Sequence, residues 1–438
     1  MSPSFGCETS VIIIVLIIPF VLYSQKKETI NWITNNSITI EDANPDSELT
    51  IFNNNTPIKF EKAKIYGFGE ASHNTKEFFD LKAKFFKYLV KNKGLKVFIM
   101  EESYQAEAGI NEWIKGGKGD KKTIANNFNI GFWHTEEVIE LLEWMRNYNI
   151  GKSEGEQIKF YGMDIQVGNK INLEIRDFVL SNKIQVDENL LIVADSCSNK
   201  EINYENPTDW WQLQVPKLHQ LKQQILYPKL DQEKYQTIER SLNYLISYTE
   251  YAASVKEGFL ASYKCHDLKM FENVKYIINQ QAENAKVFIW AHNEHINKKE
   301  MYNYGSEVLS LGRHLKDYYN DDYYSVGFDF GTGKIKGYVT DKKKGNYWKT
   351  YHITKPFPNT YANLLMSINK NIFFIDMADS YENEPTHFFS QKSRSLMIGG
   401  GGYQPKPLYR LFMKKIYNDS YDGLIFVKEI SPSHFILK

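Results

Sequence analysis

The sequence predicts an α/β fold built around a mostly parallel sheet. Short runs rich in Val, Ile, Phe and Tyr recur along the chain, and longer stretches with helical periodicity separate them. This alternation is typical of βα units, in which a helix connects one strand to the next parallel strand. The composition is also globular, because 42% of the 438 residues are hydrophobic and 24% are charged.

Seven segments carry the strand pattern, since each is a short apolar run enriched in β-branched and aromatic residues. In chain order these segments are KIYGFG, KVFIME, IKFYGMD, KVFIWAH, YYSVGFDF, NIFFIDM and GLIFVKE. The first is followed by a predicted helix whose buried stripe is Phe78, Leu81, Phe85 and Leu89. The spacing of Asn74 and Glu77 predicts that Asn74 caps this helix.

The N-terminal region has the pattern of a signal peptide. Residues 11–22 form an uninterrupted apolar run that is too short to span a bilayer comfortably, and Ser24 is a small residue suited to cleavage. We therefore expect residues 1–24 to be removed and a chain of residues 25–438 to be exported to the periplasm or secreted, without a stable membrane anchor. An uncleaved anchor is the alternative.

Charge and cysteine content restrict the possible partners. The 53 basic residues balance the 53 acidic residues, and no block of Lys and Arg occurs, so nucleic acid is not an expected partner.

Cys197 and Cys265 remain after the predicted cleavage. They could form a disulfide or be two buried small side chains, and their spacing does not decide between these alternatives.

Carboxylates and imidazoles follow five of the predicted strands. Ligands of open parallel sheets bind at the carboxyl ends of the strands, so we expect these side chains to converge on one cleft. A histidine can take a proton from water, and a neighbouring carboxylate can stabilise the imidazolium that forms. The residues in question are Glu70, His73, Glu101, Glu102, Asp164, His292, His295 and Asp329.

Two alternatives use the same cluster, namely a metal-dependent hydrolase and a non-enzymatic ligand-binding protein. His73, His292 and His295 are ligand types that suit zinc or iron, although no His-Glu-x-x-His motif is present. A serine nucleophile is not indicated, because the sequence has no G-x-S-x-G elbow. We expect no metal and no other cofactor.

Residues 168–284, between the third and fourth predicted strands, have a helical pattern rich in aromatic residues. Tyr244, Tyr248 and Tyr251 recur at helical spacing. Such a stripe indicates core packing, and contact with a large apolar ligand is the alternative.

Several of these segments together resemble the erythromycin esterase family. The similar blocks run from Gly67 to Ile430 and read GFGEASHNTKEFF, FIMEES, NEWIKGG, FWHTEEVIELLEWMRNYN, IKFYGMDIQ, VFIWAHNEH and YDGLIFVKEIS. The resemblance implies a three-layer α/β/α domain with a helical insertion. It also implies hydrolysis of a carboxylic ester or macrolide lactone by activated water, without a required metal.

The resemblance also implies roles for individual residues. His73 would be the base that activates water, and Glu70 and Glu101 would be its acidic neighbours. His292 and His295 would line the other side of the cleft, where they could orient the ester or stabilise developing charge.

Four further positions are expected to contact the substrate, namely Lys82, His134, Asp164 and His266. Two of them depart from the family pattern, because Lys82 and His266 occupy positions where the family commonly has arginine. Lysine keeps the charge but loses the planar fork of arginine. A histidine is not dependably charged at neutral pH, so His266 is expected to weaken this part of the site.

Overall fold

The structure is a computed structural model. It describes residues 25–50, 52, 55–227, 232–302, 307–339, 341, 343–378, 385–399, 403–406 and 408–436. The predicted signal peptide lies outside the described residues. No described helix is both long enough and apolar enough to cross a membrane.

The described residues form strands at each of the seven predicted positions and at four others. In chain order the strands are β1 (Ser37–Thr39), β2 (Ile65–Phe68), β3 (Val97–Ser103), β4 (Lys159–Asp164), β5 (Val287–Trp290), β6 (Tyr323–Val339), β7 (Tyr347–Ile353), β8 (Ile372–Asp376), β9 (Ser393–Leu396), β10 (Phe412–Lys415) and β11 (Gly423–Ile430). The sequence analysis did not predict β1, β7, β9 or β10.

Most strands belong to one mixed sheet with a parallel centre. Its order is β1-β8-β11-β6-β2-β5-β3-β4, and the strands from β11 to β4 are parallel to one another. The antiparallel pairings are those of β8 with β11, β1 with β8, and β7 with the second half of β6. The predicted α/β class with a mostly parallel sheet is confirmed.

Helices occupy the connections between these strands. Their bounds are 25–36, Ile58–Lys62, Lys76–Lys93, Ala106–Ile114, Lys121–Ala125, Glu136–Asn149, Ile171–Ser181, Glu188–Asn199, Trp210–Leu226, Gln232–Glu257, Phe259–Asn279, Asn293–Ile296, Leu311–Tyr319, Tyr361–Leu365 and Tyr417–Ser420. A short 3₁₀ turn, Gly131–Trp133, lies beside the candidate site described below.

Successive side chains of the central strands pack alternately into two hydrophobic cores, one on each face of the sheet. In β3, Phe98 and Met100 enter one core while Val97 and Ile99 enter the other. This follows from the two-residue period of a strand, whose successive side chains point to opposite faces. Helices therefore cover both faces, which gives the three layers implied by the family resemblance.

The helix after β2 begins one residue later than predicted. Its N-cap is Thr75, in an extended conformation, and the preceding Asn74 has a positive φ of 61°. Asparagine tolerates this left-handed conformation better than most residues, so it suits the sharp turn before the helix. Glu77 instead accepts a hydrogen bond from the backbone N–H of Ser431 at 2.6 Å. The predicted cap at Asn74 is therefore wrong.

The segment between β4 and β5 is largely helical in its described part. Its first four helices share a third hydrophobic core, which includes Tyr244, Tyr248, Tyr251 and Cys197. The last helix, Phe259–Asn279, packs on the sheet through Met270 and Val274. Cys197 and Cys265 are both free thiols, so they do not form the disulfide that the sequence left open.

Candidate active site

A cavity of about 320 Å³ lies at the carboxyl ends of the central strands. Parallel strands present these ends at one edge of the sheet, so side chains far apart in sequence meet there. Six of the residues predicted for the site line this cavity, namely His73, Glu101, Asp164, His266, His292 and His295.

Asn293 connects three strands at the site. Its side-chain amide donates to the carbonyl of Phe328 at 2.7 Å, and its side-chain oxygen accepts from the N–H of Phe328 at 3.0 Å. Its backbone N–H donates to the carbonyl of Glu70 at 3.0 Å. Gly69 makes this arrangement possible, because a Cβ atom there would overlap the Asn293 side chain. The ends of β2 and β5 are thereby fixed relative to Phe328, which lies inside β6.

His73 is held by a buried carboxylate. Its Nδ1 lies 2.5 Å from Oε1 of Glu70, and its ring stacks on Phe132 with a centroid distance of 4.7 Å and an interplanar angle of 7°. A carboxylate beside Nδ1 fixes the proton on that nitrogen, so Nε2 has a free lone pair. The Nε2 atom makes no hydrogen bond to any described residue. His73 therefore has the geometry of a general base that faces the cavity.

Lys82 lies behind Glu70 and is completely buried. Its Nζ is 2.5 Å from Oε2 of Glu70 and 4.1 Å from the ring centre of Trp290. Burial lowers the pKa of Lys82 to about 8, and the charge of Glu70 opposes that shift. Lys82 does not line the cavity. Its position is that of a partner to Glu70, without the direct substrate contact expected from the sequence.

His292 uses both of its ring nitrogens within the protein. Its Nε2 donates to the carbonyl of Ile398 at 3.1 Å, and its Nδ1 accepts from the N–H of Glu294 at 3.2 Å. Burial and the neighbouring His73 hold the pKa of His292 well below its ordinary value. His292 is therefore a neutral ring with a fixed tautomer, and in this conformation it has no free nitrogen to accept a proton.

Five side chains form a chain of alternating charge along the cavity wall, in the order Glu101, His295, Asp267, His266 and Asp164. The distances between consecutive nitrogen and oxygen atoms are 3.4, 2.8, 3.4 and 3.0 Å. The backbone N–H of His292 also donates to Glu101, at 2.7 Å. We call this set the ion chain. It links β3, the segment after β5, the helix Phe259–Asn279 and β4.

The ion chain shifts the pKa values of His295, His266, Glu101 and Asp267 toward their charged forms. Burial alone would lower the pKa of His295, but Asp267 and Glu101 raise it well above its ordinary value. Burial likewise opposes ionisation of His266, yet mainly Asp164 raises its pKa to about 9. For Glu101, burial raises the pKa and His295 then lowers it below the usual range. Two imidazolium cations therefore lie between three carboxylates at neutral pH.

This result corrects the expectation that His266 is not a dependable cation. A solvent-exposed histidine loses its charge near neutral pH, whereas a histidine beside two buried carboxylates keeps it. The sequence analysis did not single out Asp267. The structure places it at the centre of the ion chain, where its Oδ2 also accepts from the N–H of Leu311 at 2.7 Å.

Three other polar residues singled out in the sequence lie away from this cavity. His134 lines a separate cavity, and its Nε2 donates to the carbonyl of Phe128 at 2.9 Å. Glu102 accepts hydrogen bonds from the backbone of Asn129 and Ile130, so it shapes the neighbouring loop. Asp329 accepts from the Tyr417 hydroxyl at 2.8 Å in a buried position.

Aromatic side chains from the insertion form the opposite wall of the cavity. This wall is formed by Tyr204, Tyr251, Phe259, Tyr263 and Tyr302, the last of which follows β5. Of the predicted stripe, Tyr251 reaches the cavity, while Tyr244 and Tyr248 lie in the third core. Helical spacing identified the stripe, but it could not show which ring faces the cleft.

One group of side chains satisfies the geometric requirement for a metal site. The potential ligand atoms of His266, Asp267 and His295 all lie within 4.8 Å of one another. In the structure these atoms form hydrogen-bonded ion pairs, and a metal would require both imidazoles to lose a proton.

Comparison with known proteins gives the family of the chain. The model of the erythromycin esterase family matches residues 90–430, which is most of the sequence. The chain belongs to the erythromycin esterase family. A curated relative, erythromycin esterase type II of Escherichia coli, is 24% identical over 387 residues, which cover 81% of this chain and 90% of the relative. The putative hydrolase YbfO of Bacillus subtilis is 22% identical over 450 residues, covering 94% of this chain and 93% of that protein.

Solved structures share the fold of this erythromycin esterase family member. A Bacillus cereus protein has a TM-score of 0.79 at 22% identity and covers 94% of this chain and 99% of its own. A protein described as a succinoglycan biosynthesis protein has a TM-score of 0.78 at 18% identity, with the same coverage. An erythromycin esterase mutant in an open conformation has a TM-score of 0.69 at 13% identity and covers 92% of this chain and 99% of its own.

Proposed function

We propose that the protein hydrolyses a carboxylic ester or a macrolide lactone with a water molecule activated by His73. Membership of the erythromycin esterase family supports a hydrolase acting on a small molecule. The observation that carries the finer proposal is the contact of His73 Nδ1 with buried Glu70, which leaves Nε2 free at the cavity. This pairing is the arrangement that general-base catalysis requires.

The reaction follows from that geometry. His73 Nε2 removes a proton from water as the water oxygen bonds to the ester carbonyl carbon, and the carbonyl π electrons move to the oxygen. Glu70 stabilises the imidazolium that forms, and Lys82 holds Glu70 in place. When the tetrahedral intermediate collapses, its C–O bond to the alcohol breaks and the imidazolium returns the proton to the departing oxygen. The products are an acid and an alcohol, which remain one molecule if the substrate is a lactone.

His295 is the member of the ion chain that would act on a developing oxyanion; because both of its N–H groups face carboxylates, it would act through its charge and without a direct hydrogen bond to the substrate. His295 lines the cavity, and its neighbours keep it protonated. A fixed cation in a buried site stabilises a transient anion without reorganisation of solvent. Glu101 orients His295 and accepts from the backbone of His292, so it acts on the reaction through these two residues.

A direct test is incubation of the purified protein with a panel of macrolides and simple esters, followed by mass spectrometry. The expected result is a macrolide product heavier by about 18 Da, the mass of one added water, or the acid and alcohol from an ester. Unchanged substrates across the whole panel would contradict the proposal.

Metal-dependent hydrolysis is a second candidate, favoured by the proximity of His266, Asp267 and His295. These residues have ligand types that bind zinc. Metal analysis of the purified protein, with activity measured before and after chelation, separates the two candidates.

We also propose that the protein is exported, as residues 11–22 suggest. N-terminal sequencing of protein from an exporting host should begin near Gln25, and an intact Met1 in the cytosolic fraction would contradict export.

A further inference from the structure

A second cavity, of about 500 Å³, adjoins the catalytic cavity. Phe132 lines both cavities. Its ring stacks on His73, and its centroid also lies 6.4 Å from that of Trp348 in an edge-to-face arrangement. The two cavities therefore meet at a single aromatic side chain that contacts the proposed base.

The lining of the second cavity is mostly aromatic and apolar. Its polar lining side chains include Asn129 and His134, the latter expected from the sequence to contact the substrate, and no Asp, Glu, Lys or Arg occurs among the described residues that line it. Transfer of a charged group into such surroundings is costly, whereas an uncharged ring gains from contact with aromatic faces. The main lining side chains are Phe128, Phe132, Tyr338, Trp348, Phe435 and Ile436, which we call the aromatic subsite.

Pairing between separate segments fixes these rings before any ligand binds. Tyr338 on β6 and Trp348 on β7 are cross-strand partners, and their ring centroids are 5.1 Å apart. Phe435 lies 6.0 Å from Trp348, and Lys336 covers the Phe435 ring at 4.1 Å. Trp348 remains 40% exposed, so a ligand can reach its ring. Rings held in this way lose little conformational entropy when a ligand binds.

The size of the catalytic cavity indicates what the aromatic subsite would hold. Ligand pockets commonly measure about 300–1,000 Å³, so the catalytic cavity is near the lower limit. It can hold an ester group with small substituents, and a bulkier arm must extend beyond it. An arm that passes Phe132 enters the aromatic subsite.

We propose that the aromatic subsite binds an uncharged, ring-bearing arm of the ester substrate. The proposal rests on the proposed ester hydrolysis and adds the class of substrate, namely esters whose reacting group carries a neutral ring on a flexible tether. Trp348 and Phe435 would determine preference for such esters without taking part in the reaction.

The test compares two ethyl esters, ethyl acetate and the ethyl ester of cyclohexylbutyric acid, and follows the acid released by pH-stat titration. Trp348→Ala is expected to raise KM for the cyclohexyl ester by about tenfold, the effect of removing a large aromatic contact, and to leave the acetate ester unaffected. Phe435→Ala provides an independent variant. Tyr409→Ala is the matched control, because Tyr409 is an aromatic residue 71% exposed outside the subsite. Equal effects on both esters, or no effect on either, would overturn the proposal.

A binding measurement separates this proposal from the proposed reaction. Calorimetric titration with cyclohexylbutyramide, which carries the same arm on an amide, detects occupancy of the subsite without ester hydrolysis. Binding by the wild-type chain that weakens about tenfold in Trp348→Ala would support the subsite even if neither ester were hydrolysed. Absence of binding, or equal binding by both proteins, would overturn the subsite whether or not the esters are hydrolysed.

Discussion

Replacement of His73 by asparagine should separate its chemical role from its structural role. The asparagine amide can occupy the position of Nδ1 and still donate to Glu70, but nothing replaces Nε2. A positioned general base contributes about 10²–10⁴-fold to rate, so kcat should fall at least about 10²-fold, equivalent to about 2.7 kcal/mol of transition-state stabilisation. KM should change little, because the cavity walls remain.

The cost to folding should be smaller than the cost to catalysis. His73→Asn removes the stacking contact with Phe132, which is worth about 0.5–1.5 kcal/mol for an aromatic pair. His314→Asn is a matched control, because the His314 ring stacks on Phe271 with centroids 5.4 Å apart, away from the cavity. Both variants should lose similar stability in denaturant titrations, and only His73→Asn should lose turnover of the esters. A destabilised His73→Asn protein with full activity would refute the catalytic assignment.

Three further predictions concern charge in and around the site. Lys82→Met should lower the free energy of unfolding by about 3 kcal/mol and reduce kcat, because it leaves the buried Glu70 carboxylate with its hydrogen bond from His73 but without its lysine counter-charge; denaturant titration and kinetics test this. Lys84→Met is its control, since Lys84 is a buried lysine of the same helix whose partner Asp42 is half exposed, and an equal loss of kcat in both variants would contradict the role of Lys82. The pKa of His266 in the folded protein, about 9, exceeds the ordinary value of 6.5, so protonated His266 stabilises the fold fully below about pH 6.5 and this stabilisation is lost as the pH rises through 9. The free energy of unfolding of the wild-type protein should therefore fall, relative to that of His266→Gln, by up to about 3 kcal/mol over this range. Parallel curves of stability against pH for the two proteins would contradict this prediction. Activity should survive exhaustive chelation, whereas a stoichiometric metal whose removal abolishes turnover would favour the metal-dependent candidate.

The strand ends of the site were predictable from local sequence. Each central strand is buried on both faces and therefore reads as a continuous apolar run, after which the first polar residue is easily recognised. Parallel topology then implies that His73, Glu101, Asp164 and His292 lie at one edge of the sheet. The predicted convergence of these four residues on one cavity agrees with the structure.

Features that depend on long-range pairing were not predictable in this way. The strand β7 is largely exposed, and it is a strand because it pairs with the second half of β6. The charge of His266 depends on Asp164 and on Asp267, and Asp164 lies 102 residues earlier in the chain. The pKa expected for an isolated histidine carries no information about such partners. The position of His134 beside a separate cavity likewise depends on β7 and the C-terminal segment.

Separation of one helix from the sheet would be measurable as proton release, because the ion chain connects that helix to the sheet. Asp267 belongs to the helix Phe259–Asn279, while His295 follows β5 and Glu101 lies near the end of β3. Separation of that helix from the sheet would remove Asp267 from His295, lower the affinity of the imidazole for its proton and release protons to the buffer. Because linkage is reciprocal, alkaline pH weakens the attachment of the helix to the sheet. Calorimetry in buffers with different ionisation enthalpies would count those protons when a ligand binds.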